Sequence, residues 1–118
     1  MISSGTMSEV VAKGMLEKKA EEVRILDLRN IPHAIADFFV ICSGNSNTQI
    51  DAIADSIEEK VKLETNQKPW KKEGATVREW ILIDYVDVVA HIFNKEKREF
   101  FGLEELWGDA HARSVGES

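Results

Sequence analysis

The order of apolar patterns predicts an α/β (α+β) fold, a mixed β-sheet covered by helices. Three stretches carry that expectation. The run DFFVICSG is apolar almost throughout and of strand length, which suits a strand buried on both faces and central in a sheet. The segment after it sets Ile50, Ile53, Ala54, Ile57 and Val61 at helical spacing. The stretch REWILIDYVDVVAHIF, from Arg78 to Phe93, divides into two strand-length halves about a polar DYVD.

Taken in order, residues from about Met7 to Glu22 predict a helix. Val11, Met15 and Leu16 share one side, and Ser8 is placed to cap the start. VRILDLR follows as a strand, with Val23, Ile25 and Asp27 on one parity and Arg24, Leu26 and Leu28 on the other. Asn30 and Pro32 break it. After the DFFVICSG strand, Ser46 or Asn47 is expected to cap the second helix, with Gln49 behind. NQKPWKKEGATVRE is a polar connection with room for a short strand near Trp70, which Pro69 confines to an edge. Two strands, roughly Glu79 to Asp84 and Asp87 to Phe93, form the hairpin. The tail KEKREFFGLEELWGDA predicts a short helix or turns anchored by Phe100, Phe101, Leu103, Leu106 and Trp107, and HARSVGES is expected to fray.

A length of 118 residues suits a single domain, 1-118, with one modest core, and residues 1-7 and 111-118 are expected to be flexible. The lone Cys42 excludes an internal disulfide framework and fits a reducing compartment. No stretch predicts a signal peptide, and no apolar run approaches the ~20 residues that span a bilayer. The expected location is therefore cytoplasmic, away from membranes. A formal net charge of -6 argues against a phosphate-gripping nucleic-acid protein, so no direct sequence-specific nucleic-acid partner is expected. An acidic surface instead suits a basic protein partner.

Asp84, Asp87 and His91 lie inside the apolar hairpin and raise a metal or catalytic reading. Asp84 and Asp87 are three apart, so on one continuous strand they would face opposite ways. They come together only if DYVD is a turn, where aspartate is favoured because its carboxylate bonds nearby amides. His91 shares the strand parity of Asp87 but stands roughly 13 Å along the chain, too far for shared ligation. The hairpin reading takes precedence, and no metal or other cofactor is expected. SGNSNTQ joins a strand to a helix, where anions bind, yet it lacks the phosphate-loop pattern and a nearby lysine. A nucleotidyltransferase reading, with SGNS as the glycine-serine loop and Asp84 or Asp87 as metal carboxylates, stands as the alternative; it lacks the usual two acids spaced two apart on one strand. Cys42 reads as buried and inert. Trp80, Leu82 and Asp84 share one strand face, and a tryptophan among apolar neighbours with a polar rim is a common interface anchor as well as an ordinary core residue.

ILDLR, IADFFVICSGNSNTQIDAIAD, WILIDYVDVVAHIF and the closing LEELWGDA, in that order and spacing, resemble the Iojap-like ribosomal silencing factors from about Lys19 to Ala110. The resemblance implies a nucleotidyltransferase-like α/β topology without known catalysis. It also implies binding to the large ribosomal subunit through large-subunit protein fourteen, which occludes an intersubunit bridge, prevents subunit joining and represses translation. A shared scaffold need not share chemistry, which accounts for SGNS and the two acids. The family's Asp-x-Gly-Asp-Val turn corresponds to Asp84 to Val88, with Val86 in place of the glycine. Trp80, Leu82, Asp84, Tyr85, Asp87 and His91 are the residues the resemblance implies for the ribosomal-protein surface. An edge strand also offers a route to a homodimer.

Overall fold

The computed structural model describes residues 2–116. Helix α1 (Ser4–Glu17) is capped by Ser3, whose extended backbone lets its hydroxyl oxygen accept the Thr6 N–H. This corrects both the predicted start near Met7 and the Ser8 cap: Ser8 lies inside the helix, buried, and donates to the Gly5 carbonyl at 2.7 Å. The predicted continuation to Glu22 is also overturned. Lys19 takes a left-handed φ of 60°, and the Ala20 N–H returns to the Met15 carbonyl at 3.2 Å, which stops the helix.

Strand β1 (Glu21–Asp27) then begins, with a bulge where the register shifts between Glu21 and Arg24. β2 (Phe38–Gly44) is buried along its whole length, as the continuous apolar run predicts. Helix α2 (Asn47–Thr65) buries Ile50, Ile53, Ala54, Ile57 and Val61. Three strands follow: β3 (Lys71–Glu73), β4 (Trp80–Asp84) and β5 (Val88–Asn94). Two helical turns, α3 (Arg98–Phe101) and α4 (Leu103–Leu106), lead into β6 (His111–Ser114).

These strands form one six-stranded sheet in the order β3-β4-β5-β2-β1-β6. β2 and β5 run parallel, and every other pair is antiparallel. The short strand after Trp70 is an edge, as expected from the neighbouring Pro69. β6 is unexpected: His111 to Ser114 pair with the outer edge of β1 where a frayed tail is predicted. Its gain is the backbone ladder, because β1 would otherwise present unpaired amides and carbonyls. Val115 follows, its N–H donating to the Val23 carbonyl at 2.9 Å; Met1, Glu117 and Ser118, the ends of the segments predicted to be flexible, lie outside the described residues.

α1 and α2 cover one face of the sheet. Val23, Ile25, Val40, Cys42, Ile81, Ile83, Ala90 and Ile92 point into that layer. The helices cross at Gly14, where an added Cβ would stand 2.9 Å from the Ile57 Cα, and the Ser56 hydroxyl donates to the Gly14 carbonyl at 2.7 Å. Only a residue without a side chain permits that approach. The opposite face carries Leu26, Leu28, Phe39, Ile41, Val89 and Phe93. It is covered by the C-terminal segment, through Phe101, Leu103 and Trp107, and by Ala34 and Ala36 of the loop before β2. Of the five predicted tail anchors, Phe100 and Leu106 turn outward instead, 77% and 76% exposed. A four-residue helix has one inward side, and in each turn a neighbour occupies it.

Candidate functional site

The hairpin pairs Trp80 with Phe93, Leu82 with His91 and Asp84 with Val89. This register sends Trp80, Leu82, His91 and Phe93 to the face opposite α1 and α2. Trp80 and Leu82 are half-buried there, and His91 is buried. The Trp80 ring lies 4.9 Å from Phe93 and 5.1 Å from Phe101, centroid to centroid. Its indole Nε1–H donates to His91 Nδ1 at 3.0 Å. Tryptophan can only donate, so Nδ1 holds a free lone pair and the imidazole is neutral, with its proton on Nε2. Burial pushes the His91 pKa from its ordinary 6.5 down to about 3.

DYVD is a turn, as the hairpin reading expects. The Asp84 carboxylate accepts the Val86 N–H at 2.7 Å, and the Asp87 N–H returns to the Tyr85 carbonyl at 3.0 Å. That second bond closes a three-residue turn around Val86, whose φ is 77°. The position has the positive φ that glycine adopts freely and valine only under strain. Asp87 is exposed, and its carbonyl accepts from the amides of Asp37 and Phe38. The turn is thereby tied to the loop that precedes β2.

The six implied residues thus fall into three groups. Trp80, Leu82 and His91 share the aromatic face. Asp84 and Asp87 stand at the end of the hairpin. Tyr85 sits on the other side of the sheet, buried among the core residues under the helices. Its hydroxyl finds no partner among the described residues, and the side chain borders a cavity of about 40 Å³ that Ser3, Met7 and Gln67 also line. Burial raises its pKa. The signal for this placement was present, since Tyr85 continues the parity of Ile81 and Ile83.

Among the described residues no group of three or more histidine, cysteine or acidic side chains is placed to hold a metal ion. His91 offers no lone pair outward, because Nδ1 is taken by Trp80 and Nε2 carries the proton. SGNS is a helix cap: the Ser46 oxygen accepts the Gln49 N–H at 3.1 Å, and the Gln49 side-chain oxygen accepts the Asn45 N–H at 2.7 Å. The Gln49 amide also donates to the carbonyls of Lys18 and Lys19, pinning the end of α1. Cys42 is fully enclosed and burial raises its pKa, which suits an inert thiol.

Arg98 carries no mark in the sequence of its place in the interior. It is buried, donates through Nε and Nη2 to the Glu104 carboxylate, and through Nη1 to the Glu22 carbonyl and the Ser43 hydroxyl. Glu104 also receives Arg24 at 2.6 Å. This cluster borders a cavity of about 400 Å³ and fastens the C-terminal cover to the bulge in β1. Nothing in KEKREFF marks the arginine as internal, because a run of charges ordinarily faces water.

The fold belongs to the α+β class, a mixed six-stranded sheet with helices packed on it. The same architecture occurs in a crystal structure of a protein from Chromobacterium violaceum, with a TM-score of 0.84, 24% identity and coverage of 98% of this chain and 95% of that one. The family model for the "Ribosomal silencing factor during starvation" matches residues 2–118. Relatives include the ribosomal silencing factor of Halalkalibacterium halodurans, 41% identical over 92% of this chain and 92% of its own. That of Bacillus subtilis is 40% identical over 86% of this chain and 85% of its own. The chain belongs to the ribosomal silencing factor family.

Proposed function

We propose that the protein represses translation by docking on the large ribosomal subunit through large-subunit protein fourteen, so that an intersubunit bridge cannot form and the subunits do not join. The observation that carries the reading is the aromatic face: Trp80 and Leu82 remain half-buried on a sheet surface the chain covers only in part. A large aromatic group with its polar atom already satisfied presents apolar area to a partner without a stranded donor. The acids Asp84 and Asp87 at the adjoining end of the hairpin and the net charge of -6 suit a basic ribosomal protein. The action is steric and needs no cofactor. The proposed compartment is the cytoplasm; among the described residues no helix is long and apolar enough to cross a membrane.

Sedimentation tests the reading. Purified protein mixed with separated subunits is expected to migrate with the large subunit and to lower the yield of joined ribosomes. Free protein at the top of the gradient, with joining unchanged, would contradict it. The nucleotidyltransferase reading gains nothing from the geometry, since Asp84 is engaged in its own turn and Ser46 in its helix cap. Calorimetry with nucleoside triphosphates and Mg²⁺ is expected to be flat. The edges at β3 and β6 are open to strand pairing, and a homodimer formed there is checked by the sedimentation mass of the free protein.

A further inference from the structure

His91 stands among the residues implied for the partner surface, yet it is only 3% exposed and cannot itself supply much contact area. Its geometry suggests another role. The indole of Trp80 is flanked by Phe93 and Phe101, ring contacts that set no single orientation as a hydrogen bond does. Among the described residues, the one hydrogen bond holding it is that from Nε1–H to His91 Nδ1 at 3.0 Å. His91 is in turn held by Phe39, edge-on at 4.5 Å, and by Phe93, stacked at 6.4 Å with 15° between the ring planes.

The arrangement has a cost that packing alone would not incur. With Nδ1 used as the acceptor, the proton sits on Nε2, and that buried N–H has no hydrogen-bond partner among the described residues. A phenylalanine would fill the same place among Phe39, Phe93 and Trp80 without a stranded donor. What it would not supply is the acceptor for the indole.

We propose that His91 is a positioning residue: its neutral imidazole, through Nδ1, fixes the orientation in which Trp80 presents its open edge on the aromatic face. The partner meets Trp80, and His91 acts through it. The proposal deepens the docking reading and rests on Trp80 being the anchor, but its structural half stands apart from that reading and is tested separately.

The structural half is read by NMR on the full chain. The ¹⁵N shifts of His91 at neutral pH are expected to show a bare Nδ1 and a protonated Nε2. The Trp80 Nε1–H is expected to exchange with solvent far more slowly than that of Trp70, which is 68% exposed and serves as an internal control. A proton on Nδ1, or equal exchange at the two indoles, would overturn the proposal whatever happens on the ribosome.

The functional half uses large subunits and three variants. Trp80→Ala establishes whether Trp80 is the anchor at all; if its binding matches the native chain, the docking reading fails while the NMR result stands. His91→Phe keeps the ring and removes the acceptor, and is expected to bind about tenfold more weakly, the scale of one net hydrogen bond to the anchor. His91→Asn places an oxygen near the Nδ1 position and is expected to recover most of that loss, which a purely packing role would not allow. Native-like binding by His91→Phe beside a defective Trp80→Ala would overturn the positioning role. So would an asparagine variant weaker than the phenylalanine one.

Discussion

On the helix-covered face Val40, Ile81, Ile83, Ala90 and Ile92 are fully enclosed, while on the opposite face Trp80 and Leu82 stay half-buried beside Phe39, His91 and Phe93. The first face is mostly aliphatic, with Phe38 and Tyr85 as its aromatic members, and backbone touches backbone at Gly14 and Ile57. The second is aromatic, contains a buried imidazole, and is closed only by two short helical turns and a loop. Two sides of the same strands therefore carry different work. Aliphatic groups between sheet and helices gain from complete burial, and any change of volume is felt at once. A partly covered aromatic layer trades stability for a surface that something else can finish covering.

Substitutions on each side sharpen that contrast. The largest effect on folding is expected from Ile57→Ala, which opens a cavity under both helices and costs about 2–5 kcal/mol in urea unfolding. Its folded fraction is expected to bind large subunits normally. Trp80→Ala reverses the balance: a half-exposed ring costs less on truncation, while loss of a central anchor removes on the order of 2 kcal/mol of binding, about thirtyfold. If Trp80→Ala instead unfolds the protein as readily as Ile57→Ala, the two faces are not distinct in the way proposed.

The third effect depends on pH. The His91 pKa is depressed from its ordinary 6.5 to about 3, so between those values the unfolded chain binds a proton that the folded chain refuses. Stability from this group is present above about 6.5 and is lost progressively as the pH falls toward 3. From pH 7 to pH 5 that loss is about 2 kcal/mol, one proton taken up by the unfolded state alone. Chemical denaturation of the native chain and of His91→Asn at both pH values isolates it: the native chain should lose about that much more. The smallest effect is at the turn. Val86→Gly relieves a φ of 77° and is expected to stabilise by about 1 kcal/mol, with the hairpin register unchanged.

The parts legible in the sequence were those that burial writes into residue type. β2 is apolar at nearly every position because both its faces are covered, and α2 shows its one buried stripe. The hairpin and its turn followed from parity and from two aspartates three apart, and the valine at the left-handed position is the oddity the family pattern flags. What stayed illegible is held by backbone or by rare chemistry. β6 joins the sheet through main-chain bonds, with only Ala112 among its four residues half-buried, so no alternation announces it. Arg98 is internal because the bulge in β1 turns the Glu22 carbonyl toward it and Glu104 neutralises it, an arrangement composed of residues distant in the chain. The candidate site was half legible. Strand parity placed Trp80 and Leu82 together, but the cross-strand register decides that His91 lies beneath them, and Tyr85 falls on the far side.

The central claim is that the aromatic face, and not the helical one, meets the ribosome. Co-sedimentation with purified large subunits tests it most directly, using the native chain, Trp80→Ala and Glu59→Ala, the last an exposed change on α2. Binding is expected to fall about thirtyfold for Trp80→Ala and to stay unchanged for Glu59→Ala, with both variants folded. Loss of binding with Glu59→Ala while Trp80→Ala binds like the native chain would contradict the account.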